Sequence, residues 1–102
     1  MAFSIRFNEE KNQLLKATRG VSFEDILEAF KEGRLLADIA HPSKNKKHPH
    51  QRLYAVEIKG YAYAVPYVFD SRKQEIFLKT IYPSRLLTKI YLKGGKNEKK
   101  KQ

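Results

Sequence analysis

The 102-residue chain contains no cysteine and no tryptophan, one methionine, four prolines and five glycines. Without cysteine, disulfides, thiolate zinc sites and cysteine nucleophiles are all excluded. No apolar run approaches the roughly 18 residues that span a bilayer. The opening MAFSIRFNEEK lacks the apolar core of a secretion signal, so a cytoplasmic protein without membrane attachment is expected. No glycine-rich phosphate loop is present, because Gly94-Gly95 falls in a lysine-rich end. No acidic cluster suggests a two-metal nuclease. No metal and no cofactor are therefore expected.

What is present bounds the rest. A chain of this length holds one core, and with 41% hydrophobic residues, six Tyr and six Phe it can bury one. The formal charge of +10 is unevenly placed. Residues 1–40 carry six Lys or Arg against seven Asp or Glu, whereas residues 41–102 carry fifteen against four. Even without KGGKNEKKKQ (93–102), the body remains at +6. Such a one-sided positive field attracts polyanions and speeds their encounter.

The periodicities give an element order. FSIRF (3–7) alternates as a short strand does. Asn8 caps a helix with Glu9 and Glu10 in its first turn and Leu14 and Leu15 facing inward, and Gly20 suits its left-handed end. Ser22 and Asp25 form a capping box, with Val21 and Ile26 spaced as a hydrophobic staple. Phe23, Ile26, Leu27 and Phe30 make one helical stripe that Gly33 closes. RLLADIA (34–40) reads as a strand, and RLYAVEIKGYAYAVPYVFD (52–70) as a hairpin turning at Lys59-Gly60. Pro66 cannot donate to a ladder and implies a bulge or an unpaired side. DSRKQ turns, EIFLKTIY (75–82) makes another strand, and PSRLLTKIYL (83–92) a short helix with Leu86, Leu87, Ile90 and Tyr91 inward. The expectation is an α+β domain over 1–92. It has a short first strand, a helical hairpin, an antiparallel sheet of three to four strands and a C-terminal helix. Residues 93–102 are expected to form a basic, disordered tail.

Two stretches are candidate sites. HPSKNKKHPHQR (41–52) holds all three histidines. His48 and His50 could supply two metal ligands, but Lys44, Lys46 and Lys47 repel a cation, so a polyanion-facing loop is the better reading. A histidine beside a phosphate can also serve as acid or base. FLKTIYPSR (77–85) places Lys79 near a strand end, Tyr82 before a proline, and Arg85 at a helix start. A helix N-terminus and a guanidinium fork both suit phosphate. The alternative is a strand-to-helix junction with ordinary surface cations. The tyrosines interleaved with cations could stack bases, although a packed sheet face is the better reading of Tyr61, Tyr63 and Tyr67. This inventory of Lys, Arg, His and Tyr fits RNA cleavage, because RNA carries its own 2′-hydroxyl nucleophile. An enzyme need only move two protons and stabilise the phosphorane.

FNEEKNQLLKATRGVSFEDILEAF (7–30) resembles the opening of BrnT-type toxins of bacterial type II toxin–antitoxin modules, with Lys11, Gly20, Val21 and Phe23 in the family's spacing. EIFLKTIYPSRLLTKIYL (75–92) is similar to the family's closing strand and helix, including basic residues at Lys79 and Arg85. The resemblance implies a RelE-like fold, metal-independent RNase activity that arrests translation, and a neighbouring DNA-binding antitoxin as partner in a hetero-oligomer. The family's usual histidine before Gly-Val is Arg19 here, and arginine stays protonated and cannot act as a base. The expected catalytic set is Lys79, Tyr82, Arg85 and His50, with Lys79 and Arg85 on the phosphorane and Tyr82 or His50 moving protons. Lys11, Arg19, Arg52, Lys47 and His48 are expected to hold RNA. The alternative expectation is a module that binds nucleic acid or an antitoxin and cuts nothing.

Overall fold

Each element of the chain starts and stops where local chemistry directs. The computed structural model describes residues 4–40 and 52–93. Strand β1 (Ser4–Phe7) runs into helix α1 (Glu9–Arg19), where the Asn8 side chain accepts from the Lys11 N–H at 2.8 Å. The helix ends at Gly20, whose φ of 70° any Cβ would disfavour. Helix α2 (Phe23–Lys31) opens on the full capping box: Ser22 Oγ accepts from Asp25 N–H, and the Asp25 carboxylate accepts from Ser22 N–H. Strands β2 (Leu35–Ala40), β3 (Arg52–Ile58) and β4 (Tyr61–Asp70) follow. Lys59 and Gly60, both at positive φ, make the two-residue hairpin turn between β3 and β4. Asp70 Oδ1 accepts from the Arg72 and Lys73 amides and starts the next turn. Strands β5 (Glu75–Leu78) and β6 (Tyr82–Pro83), then helix α3 (Arg85–Thr88) continuing as a π turn over Lys89–Lys93, complete the order.

Among the described residues the sheet has six strands in the order β1-β5-β4-β3-β2, with β6 also on β4. The expected antiparallel sheet is in fact mixed, because β1 pairs with β5 in parallel, Ile5 beside Ile76 and Phe7 beside Leu78. A parallel pair needs a long crossover. The whole of α1 to β4 supplies it, a relation that the alternation of either strand does not encode. The strand expected over residues 75–82 is also broken. Leu78 pairs with Tyr67 and Tyr82 with Ala64, so four steps on one strand oppose three on the other. That extra residue is a bulge over residues 79–81, and Pro66 lies opposite it. The Pro66 carbonyl accepts from Lys79 N–H at 2.8 Å. In an antiparallel ladder a residue's nitrogen points to the same side as its carbonyl. The nitrogen that cannot donate therefore faces the break.

The two sheet faces bury different residues. Tyr54, Val56, Ile58, Val65, Tyr67, Ile76 and Leu78 share a cluster with Leu15, Phe23, Ile26 and Ala29 of the helical pair. Phe7 stacks on Phe23 there, centroids 4.8 Å apart. The opposite face contributes Leu53, Ala55, Ala62 and Ala64, small side chains that let α3 approach and seat Leu87. Thr88 Oγ1 accepts from the Ala62 N–H at 2.9 Å, tying this helix to β4. Three expected core assignments are corrected. Leu86 and Ile90 are more than half exposed, because the helix is one turn long and the π turn re-phases it, so Tyr91 and Leu92 pack inward beside Leu87. Leu14 is also half exposed, because Leu15, about 100° further round the helix, takes the inward position.

Candidate functional site

Strand β5 alternates between the two environments. Ile76 and Leu78 point into the helix-covered core, which turns Phe77 to the other face. Across the ladder Phe77 meets Val68 on β4 and Arg6 on β1. Helix α3 covers the alanines of β3 and β4 and stops short of this region. Phe77 stays 39% exposed and Val68 37%. Large apolar side chains on a bare sheet face are a more informative observation than exposed residues on a loop.

Beside Phe77 a groove of about 630 Å³ opens, lined by Asn8, Glu10, Lys11, Leu14, Phe77 and Lys79. Helix α1 supplies one wall and the end of β5 the other. Lys11 stands in the first turn of α1, fixed by the Asn8 cap, and the Lys79 backbone is anchored at the bulge by its bond to Pro66. Among the described residues neither ammonium has an ion-pair partner, whereas Arg6 at the margin pairs with Glu75 at 3.3 Å. The groove therefore combines an apolar floor with two uncompensated cations and one carboxylate. It suits a ligand with a flat apolar part and an anionic part.

The structure brings some expected site residues together and separates others. Lys11 and Lys79, 68 positions apart in sequence, share the groove. Arg19 Nη1 donates to the Ile81 carbonyl at 2.8 Å and so ties the end of α1 to the bulge that carries Lys79. Tyr82 is half-buried and packs on the α3 side of the sheet, paired with Ala64. Arg85 is exposed at the start of α3. Ser84 Oγ already accepts from the Leu87 N–H, and a one-turn helix has little macrodipole. Of the two features expected to suit phosphate at that junction, the exposed Arg85 guanidinium is left available and the helix terminus is already capped. Lys47, His48 and His50 lie outside the described residues.

Arg52 stands apart, on the helix-covered face. Its Nε donates to Asp38 Oδ1 at 3.1 Å and to Tyr67 Oη at 3.3 Å, and its Nη2 donates to the Asp38 carbonyl at 3.0 Å. Tyr67 Oη in turn donates to Asp38 Oδ1 at 2.6 Å, and Tyr54 stacks on Tyr67 with centroids 4.0 Å apart. Burial, and then the hydrogen bond to Asp38, push the Tyr67 phenol well above its usual value. Burial likewise raises Tyr54. The bond with Tyr67, then Asp38, raises Arg52 further above its already high value. These groups hold their protons at neutral pH, so the cluster is built to stay in one protonation state, not to shuttle protons.

Residues missed from the sequence are Phe77 and the Asp38–Tyr67–Arg52 network. Phe77 had a readable signal, since Glu75, Phe77 and Lys79 share one phase of β5 and an aromatic stands between two charges. Asp38 had none, because its partners come from two other strands.

The fold and groove define an α+β protein with three helices and a mixed sheet among its described residues, carrying a cationic-aromatic groove at one sheet end. No protein-family model, no curated protein and no solved structure matches the chain. Among the described residues no helix is long and apolar enough to cross a membrane.

Proposed function

We propose that this chain is the toxin of a type II toxin–antitoxin module, an endoribonuclease of RelE-like architecture that cleaves RNA without a metal and arrests translation. The observation that carries the reading is the meeting of Lys11 and Lys79 in one groove, neither ion-paired among the described residues although Glu10 lines the same groove, next to the bulge held by Arg19. A phosphodiester suits a groove lined by two unpaired ammonium groups, and the excess positive charge of the second half steers a polyanion toward them. The 2′-oxygen attacks the neighbouring phosphorus, the bond to the 5′-oxygen breaks, and a 2′,3′-cyclic phosphate remains. Lys79 and Arg85 offset charge on the phosphorane, and Tyr82 or His50 moves the protons, because Arg19 cannot. A neighbouring antitoxin with an acidic segment is the partner, and the cytoplasm is where both act.

A second reading is a module that binds nucleic acid and cuts nothing. It is favoured by Arg19, which stands where the resembled family has its usual histidine and holds a backbone carbonyl. Cleavage of an end-labelled RNA in EDTA separates the two. The toxin reading expects wild-type cuts ending in cyclic phosphate and a fall of at least tenfold for Lys79→Ala and for Arg85→Ala. Tight, salt-sensitive binding with no cut, with or without ribosomes, supports the second reading and overturns the first.

A further inference from the structure

Phe77 has no part in the cleavage chemistry just described, yet it is the most conspicuous side chain of the groove. It lies at the centre of the bare part of the sheet, with Val68 paired on one side and Arg6 on the other. Along its own strand Lys79 shares its groove, and Lys11 faces it from α1. An aromatic ring on an open sheet face, flanked by cations that follow a backbone, is the arrangement by which proteins hold single-stranded nucleic acid. The ring takes a base and the cations take the phosphates. We propose that Phe77 is a base-stacking platform. On it an unpaired nucleotide lies flat, with its phosphate between Lys11 and Lys79. This deepens the proposed function and rests on it, since it names single-stranded RNA as the form of substrate that the groove accepts.

Three features favour this occupant over a protein segment or a uniform polyanion. The groove carries two ammoniums and one carboxylate, Glu10, so its net charge is small. A chain of bare phosphates gains little there, whereas a nucleotide adds contact with the Phe77 ring and the Leu14 side chain. The large apolar side chains that line the groove are Phe77 and Leu14, with Val68 paired beside Phe77, which matches one or two bases and is small for a stable protein interface. A duplex keeps its bases stacked inside and offers no face to the ring, so only unpaired strands benefit.

The chain has no tryptophan, so Phe77→Trp gives a single tryptophan at the platform, excited selectively over the six tyrosines at the red edge of absorption. At 39% exposure the position accepts the larger ring. Short single-stranded RNA should quench this fluorescence, while polyphosphate of equal charge and an RNA duplex should not. Binding is followed separately by anisotropy of a labelled RNA. Phe77→Ala should weaken single-strand binding about tenfold, as loss of one stacked base does, and leave the salt dependence unchanged. Lys79→Ala should instead lower the slope of log K against log salt by about 0.7, one phosphate contact on a single strand. Circular dichroism verifies that each variant is folded. RNA that binds with no quenching, together with a Phe77→Ala variant of wild-type affinity, would overturn the platform and leave the RNA reading standing. Quenching by polyphosphate as strong as by RNA would also overturn it. Absence of any RNA binding would overturn both.

Discussion

Two clusters of this protein contain the same ingredients, an arginine or lysine beside aromatic rings, and they differ in what surrounds the charge. On the helix-covered face Arg52 is bonded to Asp38 and Tyr67, and the Tyr54 and Tyr67 rings stack on each other. In the groove at the sheet end Lys11 and Lys79 have no ion-pair partner among the described residues, and Phe77 remains 39% exposed. The first cluster pairs its cation with its own acceptors. The second leaves its charge and its ring for something else. Basic and aromatic residues in a sequence cannot be sorted into these two kinds until the acceptors are located.

The sharpest break of the comparison replaces one phenylalanine from each side. Phe23 is fully buried against Phe7, and Phe23→Ala should destabilise by about 3–5 kcal/mol in urea unfolding while folded molecules bind RNA normally. Phe77→Ala should change stability by less than about 1 kcal/mol and affect binding instead. Equal destabilisation by the two would mean that Phe77 is a core residue.

Next in size is Asn12, the buried polar side chain that joins α1 to α2. Its Oδ1 accepts from Phe23 N–H at 2.7 Å and its Nδ2 donates to Glu24 Oε1 at 2.9 Å. Asn12→Ala strands the Phe23 N–H in the core and should cost about 1–3 kcal/mol. The Asn12 bond also holds the Glu24 carboxyl below its ordinary 4.5. A lowered carboxyl contributes stability that is present above pH 4.5 and lost as pH falls through the folded value. The wild type should therefore lose stability in acid, and Asn12→Ala should lose less of it over the same range. An identical acid profile for both would detach Glu24 from this bond.

Ser22→Ala should cost about 1 kcal/mol through the capping box, measured as a lower urea midpoint with unchanged m-value. The smallest effect tests the self-satisfied cluster. A phenol raised in the folded state contributes stability that is full below pH 10.0 and lost as pH rises toward the folded value. Tyr67→Phe should remove one late-ionising phenol from an alkaline absorbance titration and flatten the loss of stability above pH 10.0. A titration in which all six tyrosines of the wild type ionise together would mean that the Asp38 network does not form in solution.

Most of the elements were legible in the sequence because their causes are local. Asn8, Gly20, the Ser22–Asp25 box and Lys59-Gly60 act on residues within one turn of themselves, so each appears where it was expected. Legibility ended where a distant partner matters. The parallel pairing of β1 with β5 and the bulge at residues 79–81 both depend on what lies across the ladder. Leu86 and Ile90 illustrate the same limit, since a helical stripe names a face but the π turn after Thr88 selects which residues meet the sheet.

The candidate site divides along the same line. Lys11, Arg19, Lys79, Tyr82 and Arg85 were recognisable as cations and a phenol able to work on a phosphate, because that is a property of the side chains alone. Which of them share a groove is a property of the crossover that carries α1 back over the end of β5, and it joins Lys11 to Lys79 while Arg52 goes to Asp38. Side-chain chemistry is carried by each residue wherever it lies. Proximity between residues far apart in the chain comes from the pairing of strands, whose register is set by burial across the whole sheet.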